Sequence, residues 1–148
     1  MEDFNWMDML EKMQDIRLFA SLHIKRKKGG ITSTQELDIL SRIILSEKLL
    51  TPLELTAMTG LSKSAVSRLI EHLERGGFLS KQYNSNDRRS YSLLITEKGN
   101  QEMKETYQHY LAPIYKLRRM IGEERFESLT TQIREANHIL LQDKEADK

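Results

Sequence analysis

Two short clusters carry the side chains best suited to chemistry: Ser62, Lys63, Ser64, Ser67 and Arg68 in one, and Asp87, Arg88 and Arg89 in the other. Neither looks catalytic. The serines have no nucleophile motif around them, the chain has no Gly-rich phosphate loop, and its carboxylates are not paired beyond ordinary surface helix charges. What these residue types do well is donate hydrogen bonds to anionic or base-edge acceptors. Small hydroxyls beside one long arginine can approach base edges in a major groove without steric conflict. Adjacent arginines beside an aspartate suit a narrow, electronegative minor groove.

The elements around them are arranged to present such groups. Thr51 can cap a helix whose first position suits Pro52 and whose capping-box acid is Glu54. Gly60 stops that helix. Across the turn Thr59-Gly60-Leu61, Ser62 can cap a second helix that ends at Gly76-Gly77, giving helix, turn, helix. In the second helix Val66, Leu69, Ile70 and Leu73 repeat at the spacing of one buried stripe, which turns Ser64, Arg68, Glu71 and Arg75 outward with Ser67 at their flank.

After Gly77 the pattern becomes strand (Phe78 to Tyr83), polar turn (Asn84 to Arg89) and strand (Ser90 to Ile95). A hairpin following a helix-turn-helix is a wing, and it places the two arginines at the hairpin tip, where Asp87 could fix an arginine rotamer. From Leu61 to Tyr91 six Lys/Arg face three Asp/Glu, a local +3 in a chain whose formal net charge is +1. Positive charge is therefore concentrated on the proposed reading head.

Leu55, Thr59-Gly60-Leu61-Ser62, Val66-Ser67-Arg68-Leu69, Leu73-Glu74-Arg75-Gly76-Gly77-Phe78, Asp87-Arg88-Arg89 and Leu94-Ile95-Thr96-Glu97-Lys98-Gly99 resemble, in order and spacing, the signature of the MarR family of winged-helix transcription regulators. The likeness is close over the middle third of the chain and rests elsewhere on helix length and character. Thr56 departs from it, standing where the family usually has alanine. The resemblance implies a homodimeric regulator that binds a palindromic operator in double-stranded DNA, most often a repressor relieved by a small hydrophobic or phenolic molecule. Together with helical geometry it puts Ser64, Ser67 and Arg68 at base edges, and Ser62 and Lys63 at phosphate near the helix N-terminus. It makes Arg89 the wing arginine, Asp87 its orienting acid and Arg88 a backbone contact. Family pockets lie between the dimer helices and the winged unit, which makes Phe19, His23, Leu40 and Tyr110 candidates for the effector site.

The flanking segments read as long helices. Phe4 to about Lys28 has no Pro or Gly, and its apolar residues, among them Trp6, Leu10 and Met13, fall on more than one face, as expected of a helix covered on two sides. Lys25-Arg26-Lys27-Lys28 closes it with charge favourable at a helix C-terminus, or with a supplementary phosphate contact. Ser33-Thr34-Gln35-Glu36 is a second capping box, opening a helix with Leu37, Leu40 and Ile44 on one stripe and an end near Lys48. From Thr96, a heptad seam of Met103, Tyr107, Tyr110, Ile114, Leu117 and Ile121 runs past Pro113, where a kink is expected. Beyond Gly122, Phe126, Leu129, Ile133, Ala136 and Leu140 form a second seam, before a polar tail from Gln142 expected to fray.

These seams exceed what so small a chain can cover by itself, which implies a partner copy; a two-fold axis would set two recognition helices about 34 Å apart. The expected class is mainly α with a small β-hairpin wing, one unit over 1–148 in which 33–95 is the winged helix-turn-helix and 1–28 and 96–145 form the dimerisation part. The chain has no cysteine, which excludes disulfides, thiolate metal sites and thiol redox sensing. No apolar run approaches the about 20 residues of a membrane span, and Met1-Glu2-Asp3 lacks the basic start of a signal peptide, so a cytoplasmic protein is expected. Glu105 with His109 and Glu135 with His138 have helical ligand spacing but no third or fourth ligand, so neither a metal nor a cofactor is expected. The competing reading is a winged-helix dimer that binds another protein, an anti-regulator without DNA binding, against which the exposed arginines argue.

Overall fold

Four helices open on the hydroxyls that the sequence offers as caps. Ser33 accepts from the Glu36 N–H (3.4 Å), Thr51 from Glu54 (3.2 Å), Ser62 from Ala65 (3.1 Å) and Thr96 from Gly99 (3.0 Å). Each such bond satisfies an orphan donor of a first turn and contributes about 1 kcal/mol. The computed structural model describes residues 6–22 and 33–147. In order these form α1 (Trp6–Leu22), α2 (Thr34–Leu45), α3 (Pro52–Thr59), α4 (Lys63–Arg75), β1 (Leu79–Asn84), β2 (Asp87–Ile95), α5 (Glu97–Ile121) and α6 (Glu123–Ala146). His23 and the Lys25–Lys28 cluster lie outside the described residues.

The core is built under the hairpin and the two central helices. Leu37, Ile39, Leu40 and Ile43 of α2 meet Leu55 of α3, Val66, Ile70 and Leu73 of α4, and Leu79 and Leu93 of the strands. Fully burying each such side chain contributes about 1.5–3 kcal/mol. The stripe expected on α4 is the one buried. That on α2 is buried at Leu37 and Leu40 but not at Ile44, which is 42% exposed; Ile43 takes its place. The buried phase runs 36, 39, 40 and 43, the i, i+3, i+4, i+7 pattern, and its first member is Glu36, whose charge hides the phase in the sequence. α2 also stops at Leu45, short of Lys48.

Antiparallel β1 and β2 pair from Leu79 opposite Ile95 to Tyr83 opposite Tyr91, and an added bridge joins Leu50 to Leu93, with the Leu93 N–H donating to the Leu50 carbonyl (2.8 Å). The hairpin is joined to α5 by a tight junction. Thr96 Oγ1 donates to the Gly77 carbonyl (2.6 Å) and Lys98 Nζ to that of Gly76 (2.6 Å). Gly99 is buried there, and a Cβ on it would stand 2.3 Å from the Phe78 carbonyl oxygen.

α5 continues as helix through Pro113, which offers no N–H to the preceding turn, and Gly122 at φ 88° turns the chain into α6. The expected frayed tail is absent: α6 runs to Ala146, and Lys144 Nζ donates to the Gly60 carbonyl in the turn between α3 and α4. Of the seam residues on α5, Tyr107 is exposed, and Thr106 is buried in its stead. Trp6, Leu10 and Met13 on α1, and Ile133 and Leu140 on α6, are exposed on the isolated chain, whereas Leu117, Ile121 and Leu129 are partly covered. No helix among the described residues is long and apolar enough to cross a membrane.

Candidate nucleic-acid interface

The interface starts from α4, whose buried side fixes what its other side shows. With Val66, Ile70 and Leu73 in the core, Ser62, Lys63, Ser64, Ser67 and Arg68 are all exposed. Ser64 and Arg68 are one helical turn apart, and Ser67 lies three residues from Ser64, so the three share a patch. Ser62 Oγ accepts from the Ala65 N–H and lies 3.2 Å from Ser64 Oγ. Its cap role thus coexists with a position beside the helix N-terminus, where backbone N–H groups favour anions. Arg68 enters none of the ion pairs of the described residues, leaving its guanidinium available.

What holds α4 in place was partly invisible in the sequence. Glu36 of α2, buried, pairs with Nδ1 of the exposed His72 on α4, a polar tie between the two helices. The signal that could have revealed it is Glu36 itself, standing at a buried phase of its helix. Behind this, Thr56 is also buried, and its Oγ1 donates to the Pro52 carbonyl (3.0 Å), so the residue in the alanine position is satisfied by its own helix. Glu54, assigned to the capping box, pairs with Lys48 (3.1 Å).

The wing differs from expectation in its turn. Only Ser85 and Asn86 lie between the strands, so Asp87, Arg88 and Arg89 are not at the tip but begin β2. The ladder there is irregular: Asn84 pairs with Asp87 and Tyr83 with Tyr91, so Arg88, Arg89 and Ser90 have no counterparts on β1. This is a bulge, a device that re-aims side chains and bends the strand. A run of six polar residues is compatible with a long loop or with a tight turn plus bulge, and the sequence does not distinguish them.

Asp87 acts on its neighbour by a route other than the one expected. Its Oδ1 accepts from the Arg89 backbone N–H at 2.9 Å, and among the described residues no ion pair joins the two side chains. The carboxylate therefore fixes the backbone that launches Arg89, as Asx turns do. Only the acceptor matters in this arrangement, so Asp87→Asn is expected to keep DNA affinity and Asp87→Ala to lose roughly fivefold, about 1 kcal/mol, despite removing a negative charge. The double variant Asp87→Ala/Arg89→Ala should match Arg89→Ala alone. A titration at fixed salt checks this; tighter binding by Asp87→Ala, or additive losses, would contradict it.

The stem of the wing is braced against α4. Lys81 of β1 pairs with Glu74 of α4 (3.4 Å) and lies 4.8 Å from the centre of the Tyr91 ring, which in turn stands 5.7 Å from that of Tyr83. Burial lowers the Lys81 pKa, but the charges of Tyr91 and Glu74 and the hydrogen bond to Glu74 outweigh it, and the net direction is upward. The ammonium thus ties wing to helix.

Three of the proposed effector residues lie among the described residues, at different depths. Phe19 is half-buried on α1, Leu40 is wholly enclosed in the core and Tyr110 packs half-buried against that core. Burial, with the Asp38 charge, raises the Tyr110 pKa. Of the pairs with metal-ligand spacing, Glu105 accepts from Gln101 (2.8 Å) and His138 shares a hydrogen bond with Gln142 (3.1 Å).

A capped helix-turn-helix with an exposed Ser/Arg face, followed by a bulged hairpin and two long helices, defines a winged-helix protein. Residues 30–90 match the model of the MarR family. Over 108 residues, 70% of this chain, the sequence is 27% identical to the transcriptional repressor MprA of Escherichia coli (strain K12), and it spans 61% of that relative's length. In structure the chain is similar to a MarR/EmrR family transcriptional regulator from Acinetobacter sp. ADP1 (TM-score 0.74, 22% identity, covering 91% of this chain and 97% of that one). It is also similar to Streptococcus pneumoniae FabT, solved in complex with DNA (TM-score 0.65, 17% identity, covering 92% and 97%).

Proposed function

We propose that this protein is a cytoplasmic transcriptional regulator that binds a palindromic operator as a homodimer, acting as a repressor relieved by a small molecule. The observation that carries the DNA-binding part is the α4 face. Its buried side is committed to the core, and its other side shows Ser64, Ser67 and an Arg68 that has no ion-pair partner among the described residues. The DNA-bound state of the FabT structure and the repressor relative support the same reading. In it, 33–95 is the reading part and 1–28 with 96–145 the dimerisation part, where the exposed apolar residues of α1 and α6 need a cover.

Within this reading Arg68 contacts a base, with Ser64 and Ser67 beside it, and Ser62 and Lys63 meet phosphate. On an operator obtained by selection from random duplexes, Arg68→Ala is expected to lose about 1–3 kcal/mol and to flatten discrimination among sequences. Lys63→Ala should weaken operator and random DNA alike and lower the salt slope by about one. A selection that returns no palindrome, or binding that does not vary with salt, would favour the protein-binding module.

A further inference from the structure

On one face of the hairpin Leu79 stands opposite Ile95, Lys81 opposite Leu93 and Tyr83 opposite Tyr91. This row meets the core at its base, where Leu79 and Leu93 are buried and Ile95 packs against them. An ammonium in the middle of it is out of pattern. Nor is Lys81 turned toward solvent, as a phosphate-binding lysine of a basic reading head would be. Its side chain is only 16% exposed, with Nζ 3.4 Å from Glu74 Oε1 on α4 and 4.8 Å from the centre of the Tyr91 ring.

Stability alone does not account for a charge at this position. A partly desolvated ion pair gains little over apolar side chains of similar volume, so a methionine would fill the row as well. What the charge adds is direction. The ammonium has to lie between one carboxylate and one ring face, whereas apolar groups in contact can slide past one another. The two ends of this link are also informative. Backbone bonds from Gly77 to Glu74 (3.0 Å) and from Phe78 to Leu73 (2.9 Å) already fix the start of the wing on α4. Lys81 adds a hold farther out, on Tyr91, the residue of β2 at which the regular ladder gives way to the bulge carrying Arg89.

We propose that Lys81 is a positioning residue for DNA readout: by joining Glu74 of α4 to Tyr91 of β2 it fixes the angle between reading helix and wing, so that Arg68 and Arg89 engage DNA as one unit. This rests on the DNA-binding reading above. Lys81 itself touches no DNA.

The test is selection from random duplexes with the full chain, followed by titration of the selected operator and a thermal melt of each variant. Arg68→Ala and Arg89→Ala first mark which base preferences come through the helix and which through the wing. Lys81→Met is expected to lose the wing preferences, keep the helix ones and weaken operator binding about fivefold, with a melting temperature that does not fall. Glu74→Gln should do the same to the preferences and the affinity although it removes a negative charge, and Lys81→Arg, which can make both contacts, should behave as the unmutated protein. In the Lys81→Met background, Arg89→Ala should cost less than it does alone. Tighter operator binding by Glu74→Gln overturns the proposal, because it would mean that Lys81 serves a phosphate once freed. Equal loss of both sets of preferences with a lowered melt also overturns it, by reducing Lys81 to a fold-stabilising residue. An unmutated protein that selects no motif defeats the DNA-binding reading and this proposal with it; a motif left unchanged by Lys81→Met defeats this proposal alone.

Discussion

Gly99→Ala is expected to destabilise the fold by about 3 kcal/mol or more and to lower the melting temperature by roughly 10 °C, while Asn100→Ala next to it changes little. The reason is local and steric. The added methyl would stand 2.3 Å from the Phe78 carbonyl oxygen and 2.8 Å from Ile95 Cγ1. The first of these is backbone, pinned by the Thr96 N–H that donates to it (3.1 Å), so it cannot swing aside as a side chain would. Relief requires moving the start of α5 away from the wing, which breaks the Thr96 cap and the bonds to Gly76 and Gly77. Calorimetry checks the magnitude; a fall under about 3 °C would show that the junction yields more easily than its geometry implies.

The second large effect concerns assembly. If a second copy covers the α1, α5 and α6 faces, Ile133→Asp is expected to convert a dimer at micromolar concentration into monomer, because it buries an unpaired carboxylate in the interface. Ile133 is the better position for this test. It is 40% exposed on the isolated chain, so the variant leaves the folded protomer intact, whereas Leu117 is already partly covered by its own chain and its replacement would disturb folding as well. Light scattering gives the answer directly. A monomeric unmutated protein would contradict the proposed homodimer, and an Ile133→Asp variant that remains dimeric would move the interface elsewhere.

The parts of this molecule most legible in the sequence are those encoded by neighbours. Ser33, Thr51, Ser62 and Thr96 announce their helices because a cap needs only a hydroxyl and the next turn's N–H. The apolar repeat of α4 likewise gives its exposed face by subtraction. Features that join distant segments were opaque. Glu36 counts as polar in any periodicity, yet it is buried because His72 meets it from another helix. Lys144 looks like a residue of a loose tail until the folded chain brings the Gly60 carbonyl to it. Gly99 could be matched to a family pattern without a physical reason, since the carbonyl that excludes a side chain belongs to Phe78. The bulge at Arg88, Arg89 and Ser90 depends on which residues of the two strands pair, and turn-forming residues alone do not specify that register.

The hairpin carries two mechanical regimes in one element. At its base Leu93 is wholly buried and its amide is bonded to Leu50, so that amide exchanges with solvent only when the surrounding core opens. At the far end the three residues of the bulge lack ladder partners, and the Arg89 amide is held instead by the Asp87 side chain, so this stretch opens locally at smaller cost than the base. The stem therefore transmits the position of the core, while the end can adjust by fractions of an ångström to a groove whose width changes from one base step to the next.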